Sequence, residues 1–158
     1  MRDDSGVPIA FRAVDAAVPP ASDLLAAMVA EMDRLYGAIE GAGSPSATPA
    51  DFSPPGGTFL VGFDAGAPVC AGGIKRLAGG VAEIKRMYVA PAARGRGVAR
   101  TLLGALEDAA RDLGYGLVRL DTGPRQPHAR TLYESAGYAE VADYNGNQHA
   151  AYWGEKRL

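Results

Sequence analysis

From Ile84 to Leu106 the chain carries no acidic residue, yet it holds Lys85, Arg86, Arg94, Arg96 and Arg100. Inside and beyond that stretch, Val98, Ala99, Leu102, Leu103, Leu106, Ala109, Ala110 and Leu113 recur with i, i+3, i+4 spacing, and Gly114 follows. The pattern predicts an amphipathic helix with a glycine stop. Its start, Arg94-Gly95-Arg96-Gly97, runs against ordinary helix chemistry. A helix N-terminus leaves four N–H groups unpaired at the positive end of a dipole, so Ser, Thr, Asp or Asn normally caps it and acids fill the first turn. Each cation placed there costs roughly 0.3–1 kcal/mol. An anion from outside the chain would offset that cost, with glycines letting the backbone N–H groups approach its oxygens.

The rest of the composition narrows the setting. With 158 residues and a net charge of -2 the chain suits a single domain, 1–158, with one core. Near-neutrality argues against a nucleic-acid partner, because domains that hold nucleic acid are usually basic throughout. The lone Cys70 excludes an intrachain disulfide and a thiolate zinc cage, and reads as a small buried residue. His128 and His149 lack the spacing for a metal or a triad, so no metal is expected. No apolar run approaches the ~20 residues of a membrane span, and Met1 to Gly6 lack a secretory core. A cytoplasmic location, with no membrane partner, is the expectation.

Residues 7–14 read as a first strand, and Ser22 as the cap of a helix with Leu25, Met28, Val29, Met32, Leu35 and Tyr36 on its apolar face, closed by Gly37. Residues 38–57 read as a long loop. Thr58–Phe63, Pro68–Leu77 and Val81–Val89 form an antiparallel meander. In the third of these the apolar positions run Ala82, Ile84, then Met87, Val89. That change of phase predicts a β-bulge near Lys85-Arg86. Gly116–Asp121 is a further strand, and Pro127 opens a helix bearing Ala129, Leu132, Tyr133 and Ala136 that stops at Gly137. Tyr138–Val141 and His149–Trp153 read as a closing strand pair around an Asn145-Gly146 turn.

Two common anion sites fail on inspection. A dinucleotide fingerprint needs a third Gly or Ala where Arg100 stands, and a Walker A loop needs a Gly-Lys pair that the chain lacks. Instead, Arg94-Gly95-Arg96-Gly97-Val98-Ala99, following a strand that ends Met87-Tyr88-Val89-Ala90-Pro91, resembles the Arg/Gln-x-x-Gly-x-Gly/Ala signature of the GNAT superfamily of acyl-CoA-dependent N-acyltransferases. Downstream, Ala129-x-x-Leu132-Tyr133-Glu134-x-x-Gly137-Tyr138 is similar to that family's second diagnostic segment.

The resemblance implies an α/β fold: a mixed, mostly antiparallel sheet flanked by helices, with a splayed strand pair at the cofactor cleft. It implies acetyl-CoA as acyl donor, cradled at the pyrophosphate by the N–H groups of Arg94, Gly95, Arg96, Gly97, Val98 and Ala99. Arg100 lies beside them. The backbone around Met87, Tyr88 and Val89 would pair with the pantetheine amides. Gln126 stands where many relatives have Asn, and Ala129 follows it on the same wall. Tyr133 occupies the position that in many relatives protonates the leaving thiolate; with an unperturbed pKa near ~10 it is protonated at neutral pH. An amine acceptor must lose a proton, and Glu83 in Ala82-Glu83-Ile84 is the candidate base, with Asp121 as fallback. A surface pairing of Glu83 with Lys85 or Arg86 is the bland alternative.

The function so implied is transfer of an acetyl group from acetyl-CoA to a primary amine by direct attack in a ternary complex. The alternative is an acyl-CoA-binding sensor without turnover. The acceptor, a small molecule or a peptide amine, is shaped by the first helix, the 38–57 loop and the Asp143–Gln148 turn, with Glu31, Asp33, Glu40 and Asp51 as scattered acids. The oligomeric expectation is a monomer or homodimer.

Overall fold

The computed structural model describes residues 8–37 and 47–158, so Val7, the 38–46 part of the expected loop and Glu40 lie outside the described residues. Seven strands make one sheet: β1 (Ile9–Ala13), β2 (Thr58–Asp64), β3 (Ala67–Leu77), β4 (Val81–Val89), β5 (Leu117–Thr122), β6 (Ala139–Glu140) and β7 (Tyr152–Arg157), in the order β1-β2-β3-β4-β5-β7-β6. Every neighbouring pair is antiparallel except β4 with β5. Three helices, α1 (Ala21–Tyr36), α2 (Val98–Asp112) and α3 (Pro127–Ser135), cover the two faces.

Alternation along the strands sends side chains to two cores. Ile74, Ala82, Ile84, Val118 and Leu120 pack with Leu102, Leu103 and Leu106 of α2 and with Tyr133 of α3. Phe59, Val61, Ala71 and Tyr88 pack on the other face with Leu24 and Met28 of α1. Each fully buried leucine of α2 contributes roughly 1.5–3 kcal/mol by leaving water. Gly72 and Gly73 mark how closely the layers approach: a Cβ at Gly72 would meet Leu106, and one at Gly73 would overlap the Phe52 ring. Cys70, fully buried, has its thiol pushed up to about 11 by burial.

The expected elements form, with four corrections. Ser22 is not the cap of α1: its N–H already bonds Val18 O at 3.0 Å and Pro20 stands at the cap, because Pro20 enters with a helical φ of -82°. Starting there turns Ala21, Leu24 and Met28 inward and leaves Val29 exposed. Within the expected 38–57 loop, Pro49–Phe52 winds into a 3₁₀ turn, held by reciprocal hydrogen bonds between Thr48 and Asp51, and buries Phe52. The closing strand pair forms, β6 antiparallel to β7 with Asn145-Gly146 in the connection between them, but it is shorter than expected and the connection is long. β7 starts at Tyr152, pairs along its length with β5 and meets β6 at only two residues, while Asn145 is drawn off toward β4 and β5. The first strand is Ile9–Ala13, shorter than 7–14. Among the described residues no helix is long and apolar enough to cross a membrane.

Substituting Gly73→Ala should force Phe52 out of its seat and lower the unfolding free energy by about 1–3 kcal/mol, as overpacking does. Urea denaturation checks this, and the companion variant Phe52→Ala should make the Gly73→Ala change nearly neutral.

Candidate active site

The expected bulge is present. Ala71 faces Tyr88 and Gly73 faces Lys85, so β4 carries one residue more than β3 across that interval. Arg86 is in the left-handed region, φ 61°, which a non-glycine residue adopts at a cost of order 1–3 kcal/mol. The extra residue resets the alternation: Ala82 and Ile84 face α2, and beyond the bulge Met87 and Val89 do, while Tyr88 turns toward α1. Parallel pairing of β4 with β5 is limited to Ala82 with Val118 and Glu83 with Arg119. Past that point the two strands part around a cavity of about 660 Å³. Its walls include the Ile84–Val89 edge of β4, Asp121 and Thr122 of β5, one flank of α1, and the start of α2.

At one end of the cavity lies the Arg–Gly turn. Gly95 and Gly97 have φ of 80° and 76°, and a Cβ at either would meet open space, so what selects glycine here is backbone conformation. Among the described residues no side chain caps α2, and its first turn holds no acid. The arginines are nevertheless not left to solvent. Arg94 donates to Glu31 at 2.6 Å and to Val89 O at 2.9 Å and lies over the Tyr88 ring; Arg96 pairs with Asp64 at 3.3 Å; Arg100 donates to the Ser135 hydroxyl. Acids from α1 and β2 thus meet part of the charge that the local sequence leaves open, and Glu31 is an anchor for the turn. The uncapped N–H end of α2 still opens on the cavity.

From the opposite wall comes α3. Pro127 occupies its first turn, Gln126 stands at its cap, and Tyr133 is buried with its ring 5.8 Å from that of Tyr138. The Tyr133 hydroxyl reaches the cavity, where its described partner is the Met87 thioether at 3.7 Å, a weak acceptor. Burial, with the nearby charge of Asp121 and the ionisable hydroxyl of Tyr152, raises its pKa well above the ordinary tyrosine value. Gln126 accepts a hydrogen bond from Tyr36 at 3.3 Å, and Ala129 and His128 line the same wall.

Glu83 and Asp121 meet through asparagine. Asn145 Nδ2 donates to Glu83 Oε2 at 3.1 Å and to Asp121 Oδ2 at 2.5 Å; Asn147 Nδ2 also donates to Asp121, at 3.3 Å. Trp153 Nε1 fixes Asn145 by donating to its Oδ1 at 3.0 Å. Glu83 is 2 % exposed, covered by Tyr144, whose hydroxyl donates to it at 2.6 Å, and it pairs with Lys85 at 3.5 Å. Glu83 is not among the cavity-lining residues; Asp121 is. The sequence puts Asp143–Gln148 at the acceptor side, Met32 and Tyr36 on the stripe of the first helix and Asn145 in a turn, and carries no signal for the site contacts of Tyr36, Tyr144, Asn145 or Asn147. An Asn-Gly pair signals a turn, and nothing local in it signals that the turn folds back onto two strands.

Comparison with known proteins gives a consistent set of relatives. The family model for the acetyltransferase (GNAT) family matches residues 25–138. An IAA acetyltransferase of Azospirillum brasilense is 35% identical over 123 residues, 77% of this chain and 80% of that protein. A solved Klebsiella pneumoniae structure, described as an acyl-CoA N-acyltransferase, superposes with a TM-score of 0.75 at 26% identity, covering 96% of this chain and 99% of the other. The PaiA N-acetyltransferase of Thermoplasma acidophilum, solved with coenzyme A, has a TM-score of 0.67 at 18% identity over 96% and 99% of the two chains; this shows the shared fold.

The buried hydroxyls set an alkaline limit on stability. Tyr133, Tyr138 and Tyr144 all have raised pKa values, foremost from burial, and Cys70 is raised to about 11. Their contributions are complete below the unfolded values, near pH ~9 for the thiol and ~10 for the phenols, and are lost as pH rises through the folded ones. Urea midpoints should therefore fall above pH ~9, and Tyr144→Phe should make that fall shallower.

Proposed function

Because this chain belongs to the GNAT acetyltransferase family and is an acyltransferase, we propose that residues 1–158 act as one domain that moves an acetyl group from acetyl-CoA to the primary amine of an acceptor, by direct attack within a ternary complex. The observation that carries this reading is the parted β4–β5 edge, which joins an uncapped helix N-terminus at one end of a single cavity to a protonated tyrosine hydroxyl in its wall. The residues fit the donor. The Arg94 N–H is taken by the Pro91 carbonyl at 3.3 Å, so the cradle falls to the N–H groups of Gly95 to Ala99, where a pyrophosphate would neutralise the helix end, and Arg100 adds charge beside it. Past the bulge, Met87 and Val89 present backbone on the edge that β5 has left, suited to pantetheine amides, with the Val89 carbonyl shared with Arg94. Tyr88 supports Arg94 from below, and Gln126 and Ala129 close the facing wall.

When bound, acetyl-CoA supplies a thioester whose carbonyl carbon accepts the amine nitrogen as the C–S bond breaks. Tyr133 gives its proton to the departing sulfur and is reprotonated, through solvent, by the second proton that the nitrogen sheds as the amide forms; its raised pKa keeps its proton in place at neutral pH. The acceptor arrives mostly as an ammonium, whose pKa is near ~10. Asp121, in the cavity wall, takes that proton, and Glu83 acts behind it through the shared Asn145 amide. An amide and a free thiol leave.

Acetyl-CoA should raise the melting temperature and slow amide exchange across residues 87–100; no stabilisation at millimolar acetyl-CoA would sink the proposal. Tyr133→Phe should lower kcat about 10²-fold, at the lower end of general acid–base effects, with little change in acetyl-CoA affinity. Asp121→Asn should slow turnover more than Glu83→Gln, measured by thiol release, and the reverse order would return the base to Glu83.

A further inference from the structure

Of the cavity's cations, two have no carboxylate partner among the described residues: Arg100, at the start of α2 where the donor's pyrophosphate is proposed to sit, and Arg86 on β4. Lys85 has Glu83 at 3.5 Å, Arg94 has Glu31 at 2.6 Å, and Arg100 has the Ser135 hydroxyl. Arg86 has, among the described residues, only the carbonyl of Ala47 at 3.5 Å, and no carboxylate within ion-pair distance. Its guanidinium is half-buried, and burial lowers its pKa. A partly desolvated charge with no counter-ion among the described residues is costly, and here the cost is added to a left-handed backbone that an arginine adopts unwillingly. The bulge places Arg86 on the cavity wall ahead of Met87, on the far side of Met87 and Val89 from the Gly95–Gly97 turn. Beside it α1 offers Met28, Met32 and Tyr36, two of them unbranched thioethers that adapt to varied apolar shapes.

We propose that the acceptor is an amine that also carries a carboxylate and an apolar group, with Arg86 holding the carboxylate and the methionines of α1 covering the apolar part. This rests on the acetyl-transfer reading and names the substrate class of that same cavity. A planar guanidinium matches a carboxylate in two parallel hydrogen bonds, and an incoming carboxylate supplies the charge that Ala47 O does not. Asp121 stands in the same cavity as the one carboxylate wall group not committed to an arginine or lysine, so the zwitterion finds a cation for its acid and an acid for its ammonium. The Arg–Gly turn is a poor rival for this anion, since Arg94 and Arg96 are already paired with Glu31 and Asp64 and Arg100 stands beside the proposed pyrophosphate site.

The test is a thiol-release assay with L-methionine, L-phenylalanine and 4-aminobutyrate, each beside its methyl ester and its decarboxylated amine. At least one carboxylated member should exceed both of its neutral counterparts about 10²-fold in kcat/KM. Arg86→Gln should erase that preference through KM, and Arg86→Lys should restore part of it. Equal use of charged and neutral members, or an Arg86→Gln effect that falls on acetyl-CoA KM instead, overturns the assignment. As a second measurement, N-acetyl-L-methionine and N-acetyl-L-phenylalanine are titrated by calorimetry into the CoA-bound protein. Wild type should bind at least one of them about ten-fold or more tightly than Arg86→Gln does, and binding of neither overturns the proposal even where no amine is turned over. Stabilisation by acetyl-CoA alone, measured on the same samples, separates failure of this assignment from failure of the acetyl-transfer reading and shows that the variants are folded.

Discussion

One extra residue in β4 governs the rest of the structure. Without it, Lys85, Met87 and Val89 would share a face, β4 would stay in step with β3, and nothing would stop β5 from running beside it to the end. With Arg86 inserted, the strand turns its far half over, and β4 and β5 stay paired for only two residues. The cavity is the wedge between them. A sheet otherwise resists such an opening, because each unpaired backbone group left without water or partner costs on the order of a hydrogen bond. The bulge lets both halves of β4 pack on α2, Ala82 and Ile84 before it and Met87 and Val89 after it, while Tyr88 adds an anchor toward α1.

Polar groups are arranged around this wedge in two clusters with opposite logic. At the helix end, charges are tied to distant acids, Arg94 to Glu31 and Arg96 to Asp64, so the guanidinium groups are fixed while the backbone donors stay available. At the fork, two carboxylates share one asparagine amide, and Trp153 and Asn147 hold that arrangement from behind. A pair of acids so close is tolerated because Asn145 donates to both, Tyr144 and Lys85 meet Glu83, and Asn147 donates to Asp121.

What the sequence makes legible follows from range. The bulge was readable because Ile84 and Met87 break a period of two within four residues, and the turn at Gly97 because cations crowd a helix start that should repel them. Tyr133 was readable through its segment, and the order of strands through their short connections. The partners of these residues were not. Glu31 reaches Arg94 across 63 positions, and Tyr144 and Asn145 reach Glu83 across 61 and 62. Such pairings depend on how α1 and the segment before β7 settle on the sheet, and periodicity holds no information about that. The Phe52 turn was missed for a related reason: a single aromatic among Pro, Ala, Ser and Gly has no period, and its burial is dictated by the vacancy above Gly73.

Cys70 sits in β3 directly across from Gly62 of β2, fully buried and so close that even a Cβ on that glycine would collide with its sulfur. In the proposed reaction every cycle discharges a mercaptan a short distance from this strand. Thiols exchange with disulfides only through an exposed thiolate, and Cys70 offers neither exposure nor ionisation at neutral pH. The protein is thereby insulated from its own product: an oxidised pool of that mercaptan finds no sulfur on this chain with which to form a mixed disulfide.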